Sequence, residues 1–176
     1  MAADTSPTVP TSAPLIIHII TLSDRASRGD YADRGGPAIQ ERVERQFAGT
    51  RWHLDLRSAI LPDDPESLRT ALKKAIDEKA GVIFTTGGTG IGPRDITPDV
   101  VAPLLEKNLP GIMEFIRVKY GATLPAALLS RGVAGVANQT LIYTLPGSVQ
   151  AVNDYCDVIL PTLEHSLLML MAVDAH

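Results

Sequence analysis

Apolar and polar positions along the chain follow two alternating patterns. Residues Leu15–Leu22 form a nearly continuous apolar, β-branched run, which is typical of a strand buried on both faces of a sheet. Ile39, Val43 and Phe47 then recur at four-residue spacing among charged neighbours. That spacing predicts a one-sided helix over residues 36–48.

The same alternation continues through the middle of the chain. Residues 54–60 alternate between apolar and polar side chains and predict a second strand. Asp64 as N-cap and Pro65 at the first helical position begin a helix whose apolar stripe runs to Ile76. A third buried strand is expected over residues 81–86.

The second half of the chain repeats the pattern. By the same capping logic, Thr97 is expected to open a helix with Pro98 and Asp99 in its first turn. The remaining expected elements are a helix over 110–120, a strand over 141–145, and a helix from 149 that breaks at Pro161. Alternating strands and helices predict a doubly wound α/β sheet, with the ligand at the carboxyl ends of the strands.

The chain is predicted to be one domain over residues 14–176. Residues 1–13 are rich in Thr, Ser, Pro and Ala, have no signal-peptide pattern, and are expected to form a disordered tail. Residues 167–171 are apolar nearly all round, which favours a core helix over a subunit interface. The apolar run there is too short to cross a membrane.

Composition narrows the class of ligand. The chain has 176 residues, 45% hydrophobic and 20% charged, with a net charge of -4. This charge would attract neither nucleic acid nor an anionic membrane, so a small ligand held by local contacts is expected. The single cysteine, Cys156, favours a buried thiol in a reducing compartment, and we expect a cytoplasmic protein.

A glycine-rich loop follows the third predicted strand. Residues 87–92 contain four glycines, so the backbone can turn with positive φ and approach an anion closely. A tight chain reversal without a ligand explains the loop equally well. The loop is neither a Walker motif nor a dinucleotide motif. A nicotinamide-dependent oxidoreductase, which has the same fold class, would need the dinucleotide glycine spacing that is missing here.

Charged residues follow the glycines. Arg94 can neutralise phosphate, whereas Asp95 needs a bridging cation, for which Mg²⁺ is the natural choice. The alternative is that Arg94 and Asp95 pair with each other. We favour a functional role for Asp95 and a helix-dipole role for Asp99.

Two other loops carry candidate residues. Ser23, Asp24 and Arg25 follow the first strand, where a ligand site and a capped turn explain them equally well. Asp64 is explained as a helix cap, which leaves Asp63 without a structural role and so marks it as a candidate. The histidines lack metal-ligand spacing, and no residue occupies a nucleophile-elbow context, so a transition metal and a covalent mechanism are not expected.

Residues 85–99, Thr-Thr-Gly-Gly-Thr-Gly-Ile-Gly-Pro-Arg-Asp-Ile-Thr-Pro-Asp, resemble the signature of the molybdopterin-binding family, which includes MogA, MoaB and the G domains of plant Cnx and gephyrin. Residues 23–27, 129–131 and 145–147 also fall where that family has its other motifs. The resemblance implies a three-layer α/β fold with a mixed, mainly parallel sheet flanked by helices. It also implies a homo-oligomer, which we expect to be a trimer.

The resemblance implies an activity as well. Active members transfer AMP from Mg-ATP to the terminal phosphate of molybdopterin and release pyrophosphate during molybdenum cofactor biosynthesis. Asp95 and Asp63 would then be catalytic, with Asp95 also as the Mg²⁺ ligand. The implied substrate- and nucleotide-binding residues are Ser23, Asp24, Arg25, Thr86, Gly87, Gly88, Thr89, Gly90, Arg94, Ser130, Pro146, Gly147 and Ser148. The product would pass to a molybdenum insertase.

Two segments depart from the active members of the family. Residues 146–149 read Pro-Gly-Ser-Val where many members have Pro-Gly-Asn-Pro, and residues 135–140 are closer to MoaB. A non-catalytic molybdopterin carrier of MoaB type is therefore the alternative function. Retention of Asp63 and Asp95 favours the enzyme.

Overall fold

The computed structural model describes residues 13–172 of the chain. Residues 1–12 of the expected disordered tail lie outside the described residues. The described strands are β1 Leu15–Leu22, β2 Leu54–Leu61, β3 Val82–Thr86, β4 Lys107–Asn108, β5 Ala134–Ala137 and β6 Thr140–Leu145. The helices are α1 Asp24–Ser27, α2 Gly35–Phe47, α3 Pro65–Asp77, α4 Thr97–Val101, α5 Pro110–Gly121 and α6 Val149–Leu170.

The strands form one mixed sheet in the order β2-β1-β3-β6-β5-β4. The pairs β1–β2, β1–β3 and β3–β6 are parallel, whereas β5 pairs antiparallel with both β6 and β4. The central strands β3 and β6 are buried along their whole length. The expected mixed, mainly parallel α/β sheet is confirmed.

Helices cover both faces of the sheet. Strand side chains alternate between the two faces, so that Ile17 and Phe84 pack with α2, α5 and α6, while Ile20 and Ile83 pack with α3 and α4. Both side-chain layers contain fully buried residues. The molecule therefore has the three layers that the family resemblance implies.

Most predicted element boundaries agree with the structure, and the cap of α3 is a clear case. The Asp64 carboxylate accepts a hydrogen bond from the backbone N–H of Ser67 at 2.8 Å, and Pro65 is the first helical residue. These groups satisfy or remove amide donors that a helix start leaves unpaired. The strand β1 also begins and ends where its apolar run does.

Two local predictions were wrong. Thr97 does not cap α4; it is the first helical residue, and its hydroxyl donates to the Gly87 carbonyl oxygen at 2.8 Å instead. Helix α6 does not break at Pro161 but continues to Leu170. Leu167 and Leu168 at its end are buried, as a core helix requires, while Met169 is exposed.

Candidate active site

Loops after β1, β3 and β6 meet at the carboxyl ends of these strands. The backbone N–H of Gly87 donates to the Leu145 carbonyl oxygen at 2.9 Å. The buried hydroxyl of Thr86 donates to the carbonyl oxygen of Pro146 at 2.8 Å. The backbone N–H of Ser23 joins the Leu61 carbonyl oxygen at 2.9 Å. Parallel register therefore brings the predicted loops to one edge of the sheet, as expected for an α/β fold.

The glycine loop needs its first two glycines for conformational and steric reasons. Gly87 and Gly88 have φ of +102° and +64°. A Cβ on Gly87 would lie 2.3 Å from the Leu22 carbonyl oxygen, and one on Gly88 would lie 2.6 Å from the Thr97 hydroxyl oxygen. The tight chain reversal that the sequence left open is therefore real. Because glycine has no side chain, the loop backbone at Gly88 is also accessible from the cleft.

The later glycines surround the Asp95 carboxylate. The Asp95 Oδ2 atom accepts a hydrogen bond from the Gly92 backbone N–H at 2.8 Å. A Cβ on Gly90 would approach this same oxygen to 2.7 Å. Within residues 13–172, no donor contacts Oδ1 of Asp95. One carboxylate oxygen is thus fixed by the loop while the other remains available to a ligand.

Arg94 pairs across the cleft edge and not with Asp95. Its guanidinium Nη2 lies 2.5 Å from Asp24 Oδ2. The Asp24 Oδ1 atom accepts the Asp63 backbone N–H, and Asp63 Oδ2 accepts the Asp24 backbone N–H, both at 3.0 Å. The expectation that Asp63 has no structural role was wrong, because it bridges two loops. The hydrogen bond from the Asp63 N–H, with the nearby Arg94 charge, lowers the pKa of Asp24.

Ser23 and Arg25 have structural partners of their own. The Ser23 hydroxyl accepts the Ala26 backbone N–H at 3.1 Å and caps α1, a short helix that the sequence did not predict. The Arg25 guanidinium lies over the Tyr31 ring, 4.9 Å from its centroid. The capped turn that was one of two interpretations of this loop is therefore present.

Arg131 is a residue that the predicted site omitted. Its Nε donates to the Gly90 carbonyl oxygen at 2.7 Å, and its Nη2 donates to the Asp95 carbonyl oxygen at 2.5 Å. The same guanidinium makes two hydrogen bonds to the Asp99 carboxylate, at 2.8 and 3.1 Å. These bonds lower the pKa of Asp99. Asp99, assigned to the helix dipole from sequence, also anchors this arginine.

Ser130 forms part of the opposite wall of the cleft. Its hydroxyl oxygen accepts a hydrogen bond from the Tyr155 hydroxyl at 2.8 Å. Burial raises the pKa of Tyr155, so the phenol keeps the proton with which it donates this bond. The Ser130 hydroxyl proton can therefore point to a ligand.

These loops enclose a cavity of about 430 Å³. The predicted site residues that line it are Gly88, Thr89, Gly90, Asp95, Ser130, Pro146, Gly147 and Ser148. The cavity lining does not include the other predicted site residues, which are Ser23, Asp24, Arg25, Asp63, Thr86, Gly87 and Arg94. The remaining wall is largely apolar, from residues such as Leu124, Ala126 and Leu129. A lining with glycine backbone and a carboxylate in one part and apolar side chains in the other suits a ligand that has both a phosphate and a flat heterocycle.

A larger groove, of about 750 Å³, opens at the other end of the parallel strands. Gly81, Thr140 and Leu170 are among its lining residues. None of the predicted site residues lies there, and the binding rule for α/β sheets places ligands at the carboxyl ends instead. We therefore assign the smaller cavity as the candidate active site.

The described residues contain no group of three or more His, Cys, Asp or Glu side chains that could hold a metal ion. Asp95, the predicted metal ligand, lines the cavity. Cys156 is buried, and burial raises the pKa of its thiol to about 11, so it is not an available nucleophile. No helix within residues 13–172 is long and apolar enough to cross a membrane.

The fold and the cleft together define an α/β domain with its ligand site at the carboxyl ends of parallel strands. The chain belongs to the MoCF_biosynth family, described as a probable molybdopterin binding domain, whose model matches residues 18–165. The resemblance noted in the motifs is confirmed by this match.

Curated relatives agree with this assignment. The molybdopterin adenylyltransferase of Helicobacter pylori strain J99 is 33% identical over 156 residues, covering 88% of this chain and 87% of the relative. Gephyrin of Dictyostelium discoideum is 37% identical over 86% of this chain. The chain spans only 22% of that gephyrin and 25% of the molybdenum cofactor synthesis protein cinnamon of Drosophila melanogaster, which is 36% identical.

Solved structures of two subgroups match about equally well. The Mog protein of Mycobacterium ulcerans is 36% identical with a TM-score of 0.82, and MoaB of Thermus thermophilus is 35% identical with a TM-score of 0.79. Each match covers 92% of this chain and 99% of the other. Similarity alone therefore fixes the family and not the subgroup.

Proposed function

We propose that this chain is a molybdopterin adenylyltransferase that transfers AMP from Mg-ATP to the terminal phosphate of molybdopterin. The observation that carries the proposal is that the Asp95 carboxylate and the backbone of Gly88 and Gly90 line one cavity whose remaining lining is largely apolar. A pterin phosphate and a nucleotide each have a charged phosphate, which needs the polar part of the lining, and a flat ring, which needs the apolar part. Curated relatives that carry this activity by name support the assignment.

The proposed reaction needs no protein nucleophile. A phosphate oxygen of molybdopterin forms a bond to the α-phosphorus of ATP, the bond from that phosphorus to the bridging oxygen breaks, and pyrophosphate leaves with the electron pair. The protein then contributes positioning and charge compensation. Backbone N–H groups of the glycine loop and the Ser130 hydroxyl would orient the two anions. This chemistry agrees with a buried Cys156 and with a cleft built from backbone and carboxylates.

The cavity residues fit a magnesium ion that arrives with ATP. Mg²⁺ is commonly held by one or two carboxylates together with phosphate oxygens and water. Asp95 offers one free carboxylate oxygen, and no lysine or arginine lines the cavity. When bound, the ion would compensate phosphate charge there. Asp63 is the second proposed catalytic acid, and it acts from the cleft edge through its bond to the Asp24 loop.

Pyrophosphate release tests the activity. Wild type should release pyrophosphate only when molybdopterin, ATP and Mg²⁺ are all present. Asp95→Ala and Asp95→Asn should lose release by about 100-fold or more, as expected for a preorganised charge in the site. Asp77→Asn, which changes an exposed acid outside the cleft, is the control. Normal turnover by either Asp95 variant would contradict the role of this residue.

A non-catalytic carrier is the second candidate. The turn at Pro146, Gly147 and Ser148 differs from the Pro-Gly-Asn-Pro turn of many active members, and a MoaB structure matches almost as well as a Mog structure. A carrier would bind molybdopterin without pyrophosphate release in the same assay. Pyrophosphate release by wild type in this assay would exclude the carrier function.

We also propose that the protein is a homotrimer of single domains over residues 14–176. Phe115 and Val118 on α5 are 56% and 69% exposed, and the exposed Leu128 packs beside Gly121 at the end of the same helix. An exposed apolar patch of this kind is typical of a subunit contact. Light scattering should give three chains per particle for wild type, or six for a dimer of trimers. A monomeric wild type would contradict this proposal.

The cellular setting belongs to the same proposal. The enzyme would act in the cytoplasm and pass adenylylated molybdopterin to a molybdenum insertase. Labelled product transferred to such a protein, without release to solution, is the expected result.

A further inference from the structure

The part of the cavity wall that α6 forms carries a pair of polar side chains that the predicted site does not include. Asp154 and Gln150 both lie on α6 and both line the cavity. The Gln150 side-chain amide donates to Asp154 Oδ1 at 2.9 Å, which fixes the direction of the carboxylate. Within residues 13–172, Oδ2 of Asp154 has no hydrogen-bond donor. The pair therefore presents a held carboxylate to the ligand space.

The position of Asp154 along α6 suits one end of an elongated ligand. Ser148 caps α6 beside the glycine loop and also lines the cavity. Asp154 lies six positions after Ser148, so a rise of 1.5 Å per residue places them about 9 Å apart along the helix axis. That distance is on the order of the length of a bicyclic heterocycle with a phosphate-bearing substituent. A phosphate at the glycine loop would leave the heterocycle near Asp154.

The chemistry of a carboxylate selects among heterocycles. A carboxylate only accepts hydrogen bonds, so it matches an edge with two adjacent N–H donors. A 2-amino-4-oxopteridine has such an edge, with its ring N–H beside its 2-amino group. Adenine instead places a donor beside an acceptor, which an amide side chain matches. In this cavity the Asp154 carboxylate is half-buried, whereas the Gln150 amide is exposed, so the carboxylate is the acceptor that faces the ligand.

We propose that Asp154 is the specificity residue that recognises the 2-amino-4-oxo edge of the pterin, with Gln150 as its positioning residue. This inference rests on the proposed function in one respect only, namely that the ligand is a pterin phosphate. It separates the pterin end of the cavity from the phosphate end at Gly88, Gly90 and Asp95. ATP then makes no contact with Asp154.

Calorimetric titration of wild type, Asp154→Asn and Asp157→Asn tests the assignment. Asp157 lies on the same helix but pairs with Arg42 outside the cavity, so its variant is a matched control. Asp154→Asn replaces an acceptor by a donor and should weaken molybdopterin binding about 10- to 100-fold. ATP binding should stay within about twofold, and the control should match wild type. Equal molybdopterin binding by Asp154→Asn, or weaker ATP binding in its place, would overturn the inference.

Competition by pterin and by lumazine tests the 2-amino group itself. Lumazine carries oxygen at the 2-position, so wild type should prefer pterin by about tenfold and Asp154→Asn should lose this preference. A preference retained by Asp154→Asn would overturn the inference. Pterin binding that depends on Asp154 without pyrophosphate release would contradict only the transferase activity. Absence of molybdopterin binding by wild type would contradict both proposals.

Discussion

Asp24 and Asp63 each accept a hydrogen bond from the backbone N–H of the other, at 3.0 Å in both directions. The two carboxylates stand 39 positions apart in sequence and join the loop after β1 to the loop after β2. Two neighbouring carboxylates repel each other, but each one here accepts a hydrogen bond from an amide, and Asp24 also pairs with Arg94. This arrangement gives Asp63 a structural and a proposed catalytic role that can be separated.

Substitutions of Asp63 should separate these roles. Asp63→Asn keeps a side-chain oxygen for the Asp24 N–H, so the free energy of unfolding should stay within about 0.5 kcal/mol of wild type, whereas Asp63→Ala should lose about 1 kcal/mol. Both variants should lose pyrophosphate release if the charge is needed. Urea unfolding and the release assay measure the two effects. Full activity of Asp63→Asn would restrict Asp63 to loop bridging.

Acid should weaken the same bridge. The pKa of Asp24 is lowered below its usual 3.8, so its stabilising contribution is present above the unfolded value and is lost as pH falls through the folded value. Wild type should therefore be more stable than Asp24→Asn at pH 7, and the difference should shrink below about pH 4. Thermal unfolding across this range measures the change. A difference that stays constant with pH would contradict the charge pairing.

Gly87 should tolerate no side chain. Gly87 and Gly29 both have positive φ, but a Cβ on Gly29 has nothing within 4 Å, while one on Gly87 meets the Leu22 carbonyl oxygen. Gly87→Ala should therefore cost at least about 2 kcal/mol more than Gly29→Ala, which should cost about 1 kcal/mol. Chemical denaturation gives both values. Equal costs would mean that the β1 end moves freely away from the loop.

Arg131 should act as a positioning residue for Asp95. Arg131→Lys keeps the charge but loses the planar set of donors to Gly90, Asp95 and Asp99. Pyrophosphate release should fall about 10- to 100-fold in kcat, with a smaller change in KM, because the loop is displaced while the ligand groups remain. Arg45→Lys, at an exposed pair with Glu41, is the control. A loss confined to unfolding free energy would make Arg131 purely structural.

The sequence predicts the fold well where the pattern is local. Leu15–Leu22 and the Asp64 cap of α3 follow from apolar runs and helix-start residues. The short strands Lys107–Asn108 and Ala134–Ala137 do not follow, because pairing with a neighbour and not their own residues makes them strands. Pro161 was expected to break α6, but packing of Leu163 and Leu167 in the core holds the helix together.

The site divides in the same way. Parallel strands bring the predicted loops to one edge, so the glycine loop and Asp95 could be placed from sequence. The hydrogen-bond partners of the site residues could not be predicted from sequence, because side chains such as Arg94 and Arg131 bind residues far away in the chain. Asp154 carries no motif, and only its placement on the cavity wall identifies it.

Pro161 interrupts the hydrogen-bond ladder of α6 without breaking the helix, so amide exchange before and after it should respond differently to a ligand. A proline has no backbone N–H, so the carbonyl of Asp157 has no intrahelical donor from that position. The part before Pro161 contributes Gln150 and Asp154 to the cavity wall as well as Ile159 to the core, whereas the part after it, with Leu163 in the core, does not line the cavity. Ligand binding should therefore slow exchange in the first part and leave the second unchanged. Helix α6 would then behave as a ligand-responsive segment fixed to a rigid base.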